Sequence, residues 1–375
     1  MTHTTDEPDG PLAHLREALS NLEERGLRRF TPRPAAAGAL SFCSNDYLGL
    51  AARAAPPHVP VGSGASRLIA GEHHAHAALE HALAAWLGLP ACLVFTSGYA
   101  ANVGAVSALA APGDLIVSDA LNHASLIDGA RLSRARVVVT PHNDVDAIAA
   151  ALRDRPEARA WVVVESYYSM DADGPDLARL RHVCDEHDAA LYLDEAHALG
   201  MFGPRGRGLA AAAGVAPDVF VGTLGKAFGS QGAFVAGSRA LRDWLWNRAR
   251  SFVFSTGLSP AAAAAATSAL VDVAGSAERR ETVHALAARM REGLAALGRR
   301  PLGFGHVIPV IVGSSERAAA LSDALAIEGL VVPPIRPPTV PEGTARLRFT
   351  MTARHELRDI ERALDACRRA FERHP

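Results

Sequence analysis

Lysine is all but missing from this chain: among its 38 lysine and arginine residues, Lys226 is the only lysine. Arginine keeps its proton at any accessible pH, whereas lysine can release it and act as a nucleophilic amine. A chain that uses arginine wherever a fixed charge suffices, and lysine once, points to chemistry at position 226 that needs a deprotonatable amine, the alternative being a lysine that survives by chance at an ordinary surface position. Cysteine is scarce as well. Cys43, Cys92, Cys184 and Cys367 lack the paired spacing of zinc sites or redox dithiols, which predicts reduced, buried thiols and a cytoplasmic protein. An excess of one charge is also lacking: a formal net charge of -2 advertises neither nucleic acid nor an anionic membrane as partner. No apolar run reaches the roughly 18 residues that suggest a membrane-spanning helix. Met1 to Gly10 are polar and acidic, without the basic and apolar regions of a signal peptide.

What is present is a globular composition, 49% hydrophobic and 21% charged, over 375 residues. That length exceeds the roughly 250 to 300 residues at which a single core stops growing, so a large domain with a smaller companion is expected. From about Ala91 to Gly237 short apolar runs alternate with helical patterns. The runs are Leu93–Phe95, Leu115–Ser118, Arg136–Thr140, Trp161–Glu165, Ala190–Asp194, Val219–Gly222 and Ala233–Ala236. Between them lie stretches such as Asp176–His187, where Leu177, Leu180 and Val183 recur at helical spacing. This is the rhythm of an α/β fold, a mostly parallel seven-stranded sheet covered on both faces. After about residue 272 come a long helix Glu278–Leu297, a βα unit, a Pro-rich turn Pro333–Pro341, a strand Arg346–Met351 and an amphipathic C-terminal helix. The expected divisions are an N-terminal segment 1–44, a large domain 45–271 and a smaller α+β domain 272–375.

Glu165, Asp194 and Thr223 stand where apolar runs end, the edge at which open α/β sheets bind ligands. Thr223-Leu224-Gly225-Lys226, followed by Gly229 and Gly232, lets the backbone bend and bring the amine to a flat ligand. Alone, the string also suits a phosphate-cradling turn. In Leu191-Tyr192-Leu193-Asp194-Glu195-Ala196-His197 a carboxylate ends a buried strand; beside a pyridine nitrogen it would keep the ring protonated, and a protonated ring is an electron sink. By itself Asp194 reads equally well as a turn cap. Thr96-Ser97-Gly98-Tyr99 ends a strand and opens a helix, an arrangement that suits an anion, with Ser169 and Thr223 as further hydroxyl donors. His123 is either an aromatic lid over a ring or simply a polar helix start. His73, His74 and His76 lack the carboxylate or cysteine spacing of a metal site, and none is expected. The string from Gly62 to Arg67 reads as a turn beside a substrate channel.

Several strings together resemble the motifs of one family, the α-oxoamine synthases, pyridoxal-phosphate enzymes of the aspartate-aminotransferase fold (fold type I). They are Asn45-Asp46-Tyr47-Leu48-Gly49-Leu50, Gly62-Ser63-Gly64-Ala65-Ser66-Arg67-Leu68, His142-Asn143-Asp144, Ser169-Met170-Asp171, Asp194-Glu195-Ala196-His197 and Gly225-Lys226-Ala227-Phe228-Gly229. The match runs from about Ser44 to the C-terminus. The resemblance implies pyridoxal 5'-phosphate held covalently by Lys226, which also acts as the base on the α-proton of bound L-alanine. It implies Asp194 at the pyridine nitrogen, His197 at the ring hydroxyl and His123 stacked on the ring. Gly98, Tyr99, Ser169 and Thr223 would hold the phosphate, joined by Ser255 and Thr256 from the neighbouring subunit of a homodimer. Asn45 and Arg348 would hold the amino-acid carboxylate, Glu165 would line the substrate site, and Arg336 would steer the acyl group. Ile335-Arg336-Pro337-Pro338-Thr339-Val340-Pro341 and the following Gly343-Thr344-Ala345-Arg346-Leu347-Arg348 look most like members that condense L-alanine with a pimeloyl thioester of coenzyme A or acyl carrier protein, with loss of carbon dioxide. Other members take glycine, serine or a different acyl thioester. A non-catalytic partner subunit of the same fold would be expected to lose the lysine. The chain departs from the family in a shorter segment between Leu50 and Gly62, expected to lack a helix, in the lack of a small β-hairpin from Phe30 to Leu40, and in Cys43, where the family tends to have serine.

Overall fold

The computed structural model describes residues 11–29, 38–54 and 56–374. The polar start of the chain and most of the stretch from Phe30 to Leu40 lie outside the described residues.

In chain order the strands are β1 (Leu40–Ser41), β2 (Ala91–Phe95), β3 (Leu115–Asp119), β4 (Arg136–Thr140), β5 (Ala160–Glu165), β6 (Ala189–Asp194), β7 (Val219–Thr223), β8 (Ala233–Gly237), β9 (Val307–Gly313), β10 (Leu330–Val331), β11 (Pro334–Ile335) and β12 (Ala345–Thr350). Seven of them form one sheet in the order β2-β8-β7-β6-β5-β3-β4. Pairing is parallel from β7 across to β4, and β8 alone runs against its neighbours β7 and β2. The apolar runs of the sequence are these strands, because β3, β7 and β8 are buried along their whole length and need no polar alternation. Only β4, at the edge, has exposed positions along most of its length.

Parallel pairing brings the strand ends together. Glu165 of β5 lies opposite Asp194 of β6, and Thr223 ends β7 on the same edge. Phe95 of β2 and Thr223 are both paired with Ala233 of the intervening β8, so the segment after β2 enters that same edge. The helices Gly98–Leu109 and Leu177–Glu186 start at Ser97 and Asp176, whose side chains accept from the N–H groups of Ala100 and Arg179. Apolar side chains from Leu93 to Phe252 pack on one face of the sheet, and a second cluster including Leu115, Val162, Leu180 and Leu191 packs on the other.

Beyond the helix Pro260–Gly275, the helix Ala277–Ala296 leads to a second, antiparallel sheet of order β11-β12-β9. The Pro-rich stretch is therefore more than a turn. Pro334 and Ile335 pair with Leu347 and Arg346 at the edge of this sheet, where a proline's missing N–H costs no ladder bond. Upstream, β1 pairs in parallel with β10, which ties residues 40–41 to the C-terminal region. The described part of the segment between Leu50 and Gly62 contains no helix. All four cysteines are free, and three are buried as expected; Cys43 is exposed, which corrects the expectation, because it sits just past the two-residue β1 with its Sγ turned to Ser41 Oγ at 3.1 Å. No helix among the described residues is long and apolar enough to cross a membrane.

Candidate active site

Lys226 sits in the turn between β7 and β8, closed by Leu224 N–H to Gly232 O and Gly229 N–H to Lys226 O, each at 2.9 Å. Of the flanking glycines, Gly229 and Gly232 adopt the left-handed backbone, whereas Gly225 does not need it. At Gly229 a Cβ would lie 2.3 Å from the backbone nitrogen of Ala51, so glycine lets this turn press against the chain that follows Asn45–Leu50. The Lys226 amine has no hydrogen-bond or ion-pair partner among the described residues. Burial lowers its pKa against the pull of Asp194 and Glu165, and Arg348 lowers it further.

Asp194 and His123 hang from one network. Tyr192 and Asp194 alternate with Leu193 along β6 and so share a face of the sheet. Asn102, from the helix Gly98–Leu109 on that face, accepts from Tyr192 O–H at 2.9 Å and donates to Asp194 Oδ2 at 2.7 Å and Ser125 Oγ at 3.0 Å. Ser125 Oγ lies 2.7 Å from His123 Nδ1. Asp194 Oδ1 accepts from Ala196 N–H at 2.8 Å, so one carboxylate oxygen caps the turn while the other is held by Asn102. His123 is the helix start that one of its readings expected, its Nδ1 capping the helix Ala124–Ser133, and it also lines the cleft. Burial holds that ring's pKa below the usual histidine value. The backbone N–H of His123 donates to Glu165 Oε1 at 2.7 Å, and Glu165 is pushed above the carboxylate range by burial and by Asp194.

His197, buried, places Nδ1 2.6 Å from the hydroxyl of Tyr47. That hydroxyl is 3.3 Å from Asn45 Oδ1, which accepts from Arg348 Nη1 at 3.4 Å and Nη2 at 3.3 Å. Arg348 Nε donates to the Ser169 carbonyl at 2.7 Å. Asn45, Arg348 and Ser169 thus come together. At the other end of the cluster the N–H groups of Gly98 and Tyr99 open the helix without an acceptor among the described residues, and a Cβ on Gly98 would lie 3.9 Å from Thr223 Oγ1. No hydrogen bond among the described residues joins Ser169 to this end. Ser255 and Thr256 line a recess with Arg67 and Thr96 rather than joining the cluster of their own chain. The Arg336 guanidinium donates to the Gly26 carbonyl at 2.5 Å, away from the cleft lining. The cleft itself, about 930 Å³, has Asn122, His123, Glu165 and Ser169 among its lining on one side and Leu22, Leu27 and the stretch 337–341 on the other.

Sequence reading missed Asn102 and gave no task to Ser125, Tyr192 or Tyr47. The one local signal was Asn102 itself, an amide on the buried side of a helix of alanine, glycine and valine. Glu195 is a structural neighbour: fully buried, it accepts from Ser166 Oγ and the N–H groups of Leu209 and Ala210, and burial raises it to about 7. Two of the three histidines near residue 75 spend ring nitrogens on backbone groups, His73 Nδ1 accepting from Ala75 N–H and His76 Nε2 meeting Leu258 O at 2.6 Å.

An unpaired amine, a carboxylate held at a strand end, two neutral imidazoles and an open helix N-terminus form one donor set, and it fits pyridoxal phosphate from ring to phosphate. Residues 37–367 match the family model described as aminotransferase class I and II. The chain is 46% identical to an 8-amino-7-oxononanoate synthase of Anaeromyxobacter dehalogenans, over 95% of each chain. It is 47% identical to one of Mycolicibacterium smegmatis, over 94% of each. Among solved structures it is similar to a serine palmitoyltransferase from S. paucimobilis with bound PLP and myriocin, at a TM-score of 0.89 and 28% identity over 97% of this chain and 99% of that one. An 8-amino-7-oxononanoate synthase from Francisella tularensis superposes with a TM-score of 0.77 at 25% identity, covering 90% of this chain and 99% of that one. Fold, donor set and near-full-length likeness agree: this chain belongs to the class I and II aminotransferase family and, within it, to the α-oxoamine synthases.

Proposed function

We propose that this protein is an 8-amino-7-oxononanoate synthase, joining L-alanine to a pimeloyl thioester with loss of carbon dioxide, a step of biotin biosynthesis. The carbon skeleton of that product is alanine without its carboxyl group joined to a pimeloyl chain. Pyridoxal phosphate is the cofactor. The observation that carries the reading is the chain's single lysine, its amine unpartnered beside the strand-end carboxylates Asp194 and Glu165. When bound, pyridoxal phosphate supplies an electron sink that first acidifies the amino acid's α-C–H and later labilises its carboxyl group.

In this reading Lys226 Nζ anchors the cofactor covalently and takes the α-proton. Asp194 Oδ2 holds a proton on the ring nitrogen, His123 covers the ring and His197 faces its hydroxyl. The free N–H groups of Gly98 and Tyr99, with Thr223 Oγ1, bind the phosphate; Ser169 is assigned there as well. Ser255 and Thr256 reach the phosphate of a neighbouring subunit in a homodimer, which is supported by their lying outside the cluster of their own chain. Arg348 and Asn45 orient the alanine carboxylate. Glu165 and the Pro-rich wall bound the acyl side, with Arg336 fixing the segment around Gly26 against that wall. The division into 1–44, 45–271 and 272–375 and a cytoplasmic location with the pimeloyl group carried on coenzyme A or acyl carrier protein complete the proposal.

The test supplies the holoenzyme with L-alanine, glycine and L-serine, each with pimeloyl and palmitoyl thioesters. Carbon dioxide release with L-alanine and pimeloyl thioester is expected. Turnover confined to glycine or serine would overturn the assignment while leaving the family chemistry intact.

A further inference from the structure

Tyr47 stands where the two halves of the site meet. Its hydroxyl has His197 Nδ1 on one side at 2.6 Å and Asn45 Oδ1 on the other at 3.3 Å, and it has one proton to give. Of the two contacts the one to His197 is much the shorter, 2.6 Å against 3.3 Å, and a single hydroxyl hydrogen is best spent on the nearer acceptor. Asn45 Oδ1 is already the acceptor for two Arg348 N–H groups. The ring of Tyr47 is fixed from behind by His306, 4.2 Å away and edge-on, itself packed on Tyr167.

We propose that Tyr47 is a positioning residue: its hydroxyl donates to His197 Nδ1, which fixes the imidazole in the tautomer with its hydrogen on Nε2. Burial supports this by pushing the Tyr47 phenol up to about 12, so it stays a donor. Burial, helped by Lys226 and Arg348, keeps His197 neutral, and a neutral imidazole that accepts at Nδ1 must carry its hydrogen at Nε2. Nε2 has no partner among the described residues and is the donor offered to the ring hydroxyl oxygen of the cofactor. That role for Nε2 rests on the function proposed above.

The tautomer is read in the cofactor-free protein labelled with [15N]histidine, by multiple-bond 1H–15N correlation, with the His197 signals identified by their loss in His197→Gln. An unprotonated Nδ1 and a protonated Nε2 are expected; an Nδ1–H tautomer in the wild-type protein overturns the proposal. In Tyr47→Phe the His197 signals should shift to a mixture. The visible band of the reconstituted enzyme should then titrate at a different pH, with kcat falling about tenfold and KM for alanine changing much less. An unchanged tautomer and an unchanged band titration in that variant also overturn it. If Tyr47→Phe does not fold, the wild-type tautomer alone decides. Because the tautomer measurement needs neither cofactor nor substrate, its outcome is separate from the substrate assay that tests the proposed reaction.

Discussion

The chemistry of this site depends on an amide that does none of it. Asn102 uses every hydrogen-bonding group it has, accepting from Tyr192 and donating to Asp194 and Ser125. Replacement by leucine keeps the volume and removes all three contacts, so Asp194 Oδ2, Ser125 and the Tyr192 hydroxyl lose a partner while buried. Asn102→Leu is therefore expected to lower the unfolding free energy by about 1–3 kcal/mol, read by urea denaturation of the cofactor-free protein. If Asp194 has its proposed place at the ring nitrogen, the same variant should also weaken cofactor binding. Unchanged stability together with unchanged pyridoxal-phosphate affinity would show that Asp194 is positioned by β6 alone. That Lys226, Asp194, His197 and His123 belong to one cluster was legible in the sequence because each is chemically distinctive and sits in a recognisable string. Asn102 and Tyr47 were not, because what they do exists only across chain separations of 92 and 150 residues.

At the level of elements, the site is a property of strand ends. Apolar runs showed all seven strands of the main sheet to within two residues at their ends, since strands buried on both faces show in sequence as unbroken apolar runs. Strand order and the short edge strand β11 were hidden, being set by pairing partners far away in the chain. The same edge carries a second, structural constellation: Asp119 ends β3, His142 follows β4 and Asp173 follows β5. His142 Nδ1 meets Asp119 Oδ1 at 2.8 Å and Nε2 meets Asp173 Oδ1 at 3.1 Å. Burial pulls the imidazole down, but the two carboxylates outweigh it and raise His142 from 6.5 to about 10. A raised folded-state pKa gives stability that is fully present below the unfolded value and disappears as pH climbs through the folded one. His142→Gln should thus cost about 2 kcal/mol at pH 6, and the gap to wild type should narrow between pH 6.5 and about 10. Melting temperatures of both proteins across that range check it; a pH-independent gap would mean that the imidazole is held neutral.

For the whole molecule, the open question of assembly is posed by the anion end of the cleft. Gly98 and Tyr99 offer two backbone N–H groups there, and Ser255 and Thr256 line a recess that includes Thr96. Phe254 at 71% and Ile69 at 82% are apolar side chains left largely exposed, and Tyr99 is about half exposed. A two-fold dimer would cover these side chains and let each chain complete the other's phosphate site. Complementation tests the point without a structure. Lys226→Arg in one chain and the pair Ser255→Ala with Thr256→Ala in the other each impair every site of their own homodimer. In a heterodimer with shared sites, the chain that keeps Lys226 receives intact Ser255 and Thr256 from its partner, so one of the two sites is wild type. Random reassociation of equal amounts should then restore about a quarter of wild-type turnover. If the two hydroxyls serve their own chain instead, the lysine-bearing site is also the one that lacks them, and mixing restores nothing.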